Sequence, residues 1–247
     1  MDKKELQRLK NLTIYLFPIL SFAGYVFFWN APKVHLINPW YEAFHQVIKA
    51  QEILDPLQRQ RILNEGGEKL IVLSRRFPQH ARVQYYLGTY YDIIGKYDSA
   101  VVHAKEAIRL GSGSIVNRVD DLATELLVSV LMKKARLFID NKDNLTAQYF
   151  LREAYAIQPN NIPLLKTIGN VFLNSQSIDS AQWYFGKILT INQLDDEALY
   201  FLGYIASTQK RFPDAIDYLE RAVAINPNRT DAKQLLSLLK KTSLRKS

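Results

Sequence analysis

Cysteine is absent from the 247-residue sequence. Its absence excludes disulfides, thiolate metal sites, lipid attachment through cysteine and cysteine nucleophiles. Histidine is scarce as well, and no histidine has a second ligand at metal-binding spacing. The only ones are His35, His45, His80 and His103. We therefore expect the protein to bind no metal and to need no cofactor.

The motifs of common enzyme classes are also missing. The sequence contains no HExxH motif, no nucleophile elbow and no phosphate-binding loop. Gly111 and Gly113 follow a predicted helix, so they lack the strand-to-helix context of a phosphate-cradling turn. Adjacent acids such as Asp195 and Asp196 stand at predicted helix starts, where the helix dipole favours them. We expect a protein that is not an enzyme and has no small-molecule substrate.

Positive charge is concentrated at the two ends of the chain. The formal net charge is +8, of which residues 1–10 supply +2 and residues 240–247 supply +4, leaving +2 for the rest. A nucleic-acid-binding protein would instead cluster basic side chains on a folded face, where they neutralise phosphates. We therefore expect no nucleic-acid partner.

A long uncharged run lies close to the N-terminus. Residues 12–29 carry no charged side chain, and four basic residues precede them in residues 1–11. At about 1.5 Å per residue, a helix of this length spans about 27 Å, close to the roughly 30 Å hydrocarbon core of a bilayer. The pattern predicts one transmembrane helix with a basic, cytoplasmic N-terminus. A cleaved signal peptide is the alternative, because Ser21 and Ala23 have the spacing of a cleavage site.

The rest of the chain is dominated by a pattern that recurs at a constant interval, which equals the length of the segment 196–229. This segment contains Gly203, Ala215, Ala222 and Pro227 in fixed order. One interval earlier, two of the four equivalent positions carry small residues, Gly169 and Ala181. Two intervals earlier, all four carry small residues or proline: Ala135, Ala147, Ala154 and Pro159. Small side chains let two helices cross closely, and proline ends a helix. The spacing and residue types resemble the tetratricopeptide repeat, a 34-residue helix-turn-helix unit.

The resemblance implies an all-α solenoid of stacked antiparallel helix pairs, because one pair cannot bury both of its apolar faces. The repeats are placed at residues 81–114, 128–161, 162–195 and 196–229. Residues 115–127 form an insertion that we predict lengthens the first helix of its unit. The insertion supplies either additional core or a surface for a partner.

The segments that flank the repeats depart from the pattern. Residues 30–39 are predicted to form a linker, and residues 40–80 a degenerate repeat or a capping hairpin. Within the latter, Gly66 and Gly67 are expected to break or bend the chain before a helix that begins at Glu68. At the other end, residues 230–247 are predicted to form a capping helix and a basic tail.

In solenoids of this kind the first helix of each pair lines the concave face. We therefore expect partner proteins to bind there. Counting from the glycine position of each unit gives an aromatic and mildly cationic set: Tyr85, Thr89, Asp92, Met132, Arg136, Ile139, Lys166, Asn170, Leu173, Tyr200, Tyr204 and Ser207. The alternative is that some of these tyrosines pack between units.

The segment LKTIGN resembles the opening of the carboxylate-clamp repeats of chaperone cofactors. The resemblance implies that Lys166 supplies charge and Asn170 an amide donor to the terminal carboxylate of a peptide. The other clamp positions differ, since Phe201 stands where an asparagine is needed and Asp231 and Leu235 replace two cations. The alternative is that Asn170 caps or bridges neighbouring helices.

These features predict a membrane-anchored scaffold that holds partner proteins, namely subunits of a membrane complex. Its tether would raise the effective concentration of partners on one surface. With a cytoplasmic N-terminus, we expect the repeats on the periplasmic side of a bacterial inner membrane. The alternative is a receptor on an organelle membrane, with cytosolic repeats that recognise targeting peptides.

Overall fold

The structure is a computed structural model that describes residues 39–112 and 119–244. These residues form eleven α-helices, and the two described ranges contain no β-strand. The helices are α1 (Pro39–Ala50), α2 (Pro56–Arg76), α3 (Ala81–Ile93), α4 (Tyr97–Gly111), α5 (Val119–Asp140), α6 (Asn144–Ile157), α7 (Ile162–Asn174), α8 (Ile178–Ile191), α9 (Asp196–Thr208), α10 (Phe212–Ile225) and α11 (Thr230–Leu244).

Consecutive helices pack in pairs, and the pairs stack along the chain. The five pairs are α1/α2, α3/α4, α5/α6, α7/α8 and α9/α10, and α11 packs against α10 at the end of the stack. Neighbouring pairs also touch, as α8 does with α9, so each apolar face is covered by the next unit. The expected all-α solenoid of stacked helix pairs is therefore confirmed for the described residues.

Polar side chains cap two of the helices that begin a unit. The side chains of Asn161 and Asp195 accept hydrogen bonds from backbone N–H groups of α7 and α9, which otherwise lack partners. Within four of the pairs, the turn contains one residue with a left-handed backbone. These residues are Gly95 (φ 74°), Lys142 (φ 61°), Gln176 (φ 58°) and Lys210 (φ 62°).

The recurring spacing of small residues has a direct structural counterpart in the helix pairs. In three units, the glycine of the first helix faces the residue 16 positions later on the second helix. A Cβ at Gly203 would lie 2.8 Å from Cγ of Leu219, and one at Gly169 would lie 2.7 Å from Cζ of Phe185. Both facing side chains are fully buried. The first and second helices can therefore approach this closely only without a side chain at these positions.

Helix α5 is the longest helix that the structure describes. It has 22 residues, whereas α3, α7 and α9 have 13 each. The residues that α5 gains at its N-terminal end include Val119, Ala123 and Leu126, and all three are buried. Leu126 lies where a Cβ on Gly88 would meet it at 3.2 Å. This part of the insertion thus belongs to the core, while residues 113–118 lie outside the described ranges.

The prediction that a helix begins at Glu68, after a break at Gly66 and Gly67, is wrong, because α2 is helical from Pro56 to Arg76. The two glycines serve close packing instead. A Cβ at Gly66 would lie 2.8 Å from Cγ2 of Val47 on α1, and one at Gly67 would overlap the ring of Tyr90 on α3. The absence of side chains lets α1 and α3 both pack against the middle of α2.

The predictions for the N-terminus fall largely on residues that the structure does not describe. Residues 1–11, the predicted span at residues 12–29 and all of the predicted linker except Pro39 lie outside the described ranges. Pro39 itself begins α1. Among the helices that are described, none combines the length and the hydropathy needed to cross a bilayer.

Candidate functional site

A groove of about 1160 Å³ opens along α5, α7 and α9, the first helices of three consecutive pairs. Five predicted residues line it, and two of them are Ile139 on α5 and Leu173 on α7. The other three, Arg136, Asn170 and Tyr204, come one from each helix. Each is separated from the next by one repeat interval, so the repeat places them at equivalent positions on one face. The lining residues outside the predicted set are Thr167, Val171, Asn174, Gln176, Ile178, Phe201, Thr208 and Gln209.

A second, smaller groove of about 470 Å³ adjoins the first. Arg136 and Thr167 line both, and the predicted residue Met132 lies in the smaller one. Glu125 and Lys133 also line the smaller groove, so both signs of charge are present there. The two grooves form a continuous surface along the first helices.

The larger groove combines an apolar base with polar walls. Val171 and Phe201 supply buried and half-buried apolar surface, while Asn170, Asn174 and Gln176 supply side-chain amides. Each of these amides makes no side-chain hydrogen bond to another described residue. Because an amide carries both donors and an acceptor, this wall can hydrogen-bond to the backbone of an extended peptide.

Arg136 is the one cation among the described residues that line the larger groove. Its side chain is 72% exposed and its Nε lies 3.0 Å from Oδ1 of Asp140, one turn later on α5. An exposed pair of this kind is weak and is screened by salt. The guanidinium therefore remains available to a carboxylate on a bound segment.

Lys166 does not line either groove. Its Nζ lies 3.0 Å from Asp195 and 2.8 Å from Glu197, and its side chain is only 23% exposed. Burial lowers the pKa of Lys166, but the hydrogen bonds to Glu197 and Asp195 outweigh it, so the pKa is raised. The charge that a carboxylate clamp would use is thus already paired, and it links α7 to α9.

Two predicted tyrosines pack between neighbouring units. The ring of Tyr85 lies 6.2 Å from that of Phe44 on α1, and burial raises the pKa of Tyr85. The ring of Tyr200 packs against the core that α9, α10 and α11 form together. The guanidinium carbon of Arg229 lies 5.5 Å from the centre of this ring. Burial raises the pKa of Tyr200 too.

The remaining predicted residues of the first repeat make contacts within the protein. The Thr89 hydroxyl donates to the backbone carbonyl of Tyr85 at 3.0 Å, and Asp92 accepts from Lys133 of α5 at 2.7 Å. The second contact ties α3 to α5. Thr89 and Asp92 line neither of the two grooves.

Several groove residues were not predicted from the sequence. Thr167, Asn174 and Thr208 lie on the first helices, whereas Gln176 and Gln209 lie in the turns that follow. The repeat interval would have found Thr208 from Asn174, but nothing in the sequence marked the turn residues. No group of three or more histidine, aspartate or glutamate side chains suited to a metal ion occurs within residues 39–112 and 119–244.

Comparison with known proteins identifies the unit formed by α9 and α10. Residues 196–229 match the family model of the tetratricopeptide repeat. The same residues carry Gly203, Ala215, Ala222 and Pro227 at the spacing described above. A comparison with curated protein sequences gives no match.

Solved structures with a similar arrangement of helices include YrrB, MamA and a domain of Spaghetti. YrrB, a TPR protein with an unusual peptide-binding site, is 18% identical, with 76% of this chain and 89% of YrrB covered and a TM-score of 0.47. MamA is 17% identical, with 72% and 98% covered and a TM-score of 0.47. The first TPR of Spaghetti (RPAP3), bound to the HSP90 peptide SRMEEVD, is 15% identical, with 47% and 93% covered and a TM-score of 0.45.

Proposed function

We propose that this protein is a membrane-anchored, non-enzymatic scaffold that binds a segment of a partner protein in the larger groove and thereby helps to assemble a membrane complex. The observation that carries the proposal is the alignment of Arg136, Asn170 and Tyr204 in one open groove, one from each of three successive first helices. Stacked helix pairs commonly use such extended concave surfaces for binding.

The composition of the groove defines the segment that it would accept. The amides of Asn170, Asn174 and Gln176 suit the backbone of an extended chain, and Phe201 and Val171 suit an apolar side chain. Arginine at one end of the groove suits an acidic side chain. We therefore propose an extended partner segment with an apolar residue and, beyond it, an acidic residue.

Replacing Arg136 by glutamate tests this site. A photoreactive amino acid at position 204 should attach the partner in intact membranes, and the Arg136→Glu change should strongly reduce that adduct because it repels an acidic segment. Arg221→Glu on α10 is the matched control, because Arg221 also forms an exposed pair with an aspartate on its own helix. Equal adduct yields from both variants would show that Arg136 does not contact an acidic residue of the partner, and no adduct from position 204 in the otherwise unchanged protein would move the site away from this groove.

Lys166→Glu would test stability instead of binding. The new carboxylate would face Asp195 and Glu197, so three negative charges would meet between α7 and α9. Like charges at this distance destabilise the folded state. A loss of binding in that variant would therefore say nothing about the groove.

The proposed anchor is supported by the uncharged run at residues 12–29 and the basic residues before it. Resistance to alkaline extraction, together with an intact N-terminus at Met1, is the expected result. A soluble protein whose N-terminus begins near residue 24 would show that the run is a cleaved signal peptide.

The proposed location has its own test. Protease protection of a tag placed after Ser247 should show the repeats on the periplasmic side of a bacterial inner membrane. A tag that is accessible from the cytoplasm would instead favour the receptor with cytosolic repeats.

A further inference from the structure

Gly186 lies in the middle of α8, and contacts within the chain do not account for it. Apart from its chain neighbours and the backbone of its own helix, a Cβ at this position would meet no atom within 4 Å, whereas one at Gly169 or Gly203 would clash with a buried side chain. Glycine inside a helix is less favourable than alanine, because it loses more backbone entropy on folding. No other helix that the structure describes packs into the space that the missing side chain of Gly186 leaves.

A large aromatic side chain projects beside this gap. Trp183, one turn before Gly186 on the same face, is 55% exposed. Its ring meets that of Tyr184 edge-on at 4.9 Å, and Nζ of Lys187 lies 5.5 Å from its centre. These contacts hold Trp183 in place while leaving much of its surface open to solvent.

Helices α4, α6, α8 and α10 are the second helices of the four repeats, and only α8 has an exposed aromatic residue one turn before a glycine. The equivalents of Gly186 in the other units are charged: Lys105, Arg152 and Glu220. The equivalents of Trp183 are Val102, Tyr149 and Asp217. The repeat thus places a projecting aromatic next to a gap in one unit only.

The face of α8 that contains these residues is complementary to a second copy of itself in an antiparallel helix pair. Asp179, Trp183, Gly186 and Thr190 follow one another at intervals of four, three and four, the spacing of a helix–helix seam. In an antiparallel pair centred between Trp183 and Gly186, each Trp183 faces the Gly186 of the other copy. The same register sets each Asp179 opposite a Thr190, so one contact forms twice, as a two-fold axis requires.

We infer that two copies of this chain pair antiparallel through α8, with Trp183 of each copy filling the space over Gly186 of the other. Charge favours this orientation. Asp179 near the start of α8 comes within one turn of Lys187 of the second copy, whereas a parallel pair would bring like charges together.

Neighbouring surface extends the contact beyond α8. On α6, Leu145 and Tyr149 are 81% and 64% exposed. Helix α6 lies beside α8, since Tyr155 meets Tyr184 at 5.8 Å and accepts a hydrogen bond from Lys187 at 2.7 Å. This surface is on the second helices, so pairing would leave the groove on the first helices free for a partner. The inference does not depend on the proposed partner binding.

The absence of cysteine makes the register directly testable in the full chain in detergent. A tagged Asp179→Cys variant and an untagged Thr190→Cys variant should form a mixed disulfide when combined and oxidised. Asp179→Cys alone should cross-link poorly, because the two copies of position 179 would be about 16 Å apart along the helix. Efficient cross-linking of Asp179→Cys with itself, or no mixed disulfide, would overturn the antiparallel pair.

Sedimentation measures the pairing itself. The unmodified chain should have twice the chain mass, and Trp183→Ala or Gly186→Leu should halve it. Gly186→Leu should leave the helical content unchanged, since a Cβ there meets nothing within the chain. Ala224→Leu, at the position on α10 equivalent to Thr190, is the control and should keep the doubled mass. A chain that is monomeric at every concentration, or a dimer that survives Gly186→Leu, would refute the inference.

Discussion

Gly203 and Gly186 are both helical glycines, but their surroundings differ. At Gly203 a Cβ would lie 2.8 Å from Cγ of Leu219 and 3.3 Å from the backbone oxygen of Ala215, while at Gly186 it would meet nothing. Gly203→Ala should therefore destabilise the protein by about 1–3 kcal/mol through overpacking. Gly186→Ala should stabilise the isolated chain by up to about 1 kcal/mol through helix propensity. Urea unfolding in dilute solution measures both, and equal effects would contradict the packing argument.

Asp196 connects the start of α9 to the turn before α11. Its Oδ2 accepts hydrogen bonds from Arg229 at 2.7 Å and Asn226 at 2.9 Å. Burial raises the pKa of Asp196, but these hydrogen bonds outweigh it and the pKa is lowered. Because the folded pKa is below the unfolded one, the stabilisation is present above about pH 4 and is lost as pH falls through the folded pKa.

Asp196→Asn should lower the unfolding free energy at neutral pH and flatten its decline in acid, because the paired carboxylate is gone. Urea unfolding between neutral pH and about pH 3 measures this. Asp217→Asn is the control, since Asp217 is exposed and its pair with Arg221 is long, at 3.5 Å. An unchanged acid slope in Asp196→Asn would show that the pair contributes little.

Helix α5 contains two leucines that lie one turn apart and differ in burial. Leu126 is buried against the α3/α4 pair, whereas Leu122, one turn earlier, is 44% exposed. Leu126→Ala should cost about 2–5 kcal/mol, since it leaves a cavity in the core. Leu122→Ala should cost much less. Thermal unfolding measures both, and similar losses would mean that the extension does not pack as described.

The sequence predicted the helices in the part of the chain where the repeat interval applies. The interval identified the helix pairs and the need for small residues where they cross. The sequence did not reveal the role of Gly66 and Gly67, because two adjacent glycines can either break a helix or allow a neighbouring helix to pack closely. It also did not mark Lys142, Gln176 and Lys210, since only Gly95 among the left-handed turn residues is of the type that favours this conformation.

For the molecule as a whole, α11 closes the stack. Its residues Ala232 and Leu239 are buried together with Leu199 of α9 and Ala222 of α10 in one hydrophobic core. A chain that ends at Arg229 would leave that face open to water, so we expect a lower melting temperature and aggregation. Thermal unfolding followed by light scattering measures this. Leu238→Ala, a change on the exposed side of α11, should have little effect by comparison.

Periodicity alone established which residues occupy equivalent places, because a constant interval carries each side chain to the same position in every unit. It therefore brought Arg136, Asn170 and Tyr204 onto one face. Which of the candidates remain free to bind was set by contacts between units. Lys166 pairs with Asp195 and Glu197 at the start of α9, and Tyr85 packs on the preceding unit, since an interval fixes where a side chain stands but not which neighbour's charge or ring reaches it.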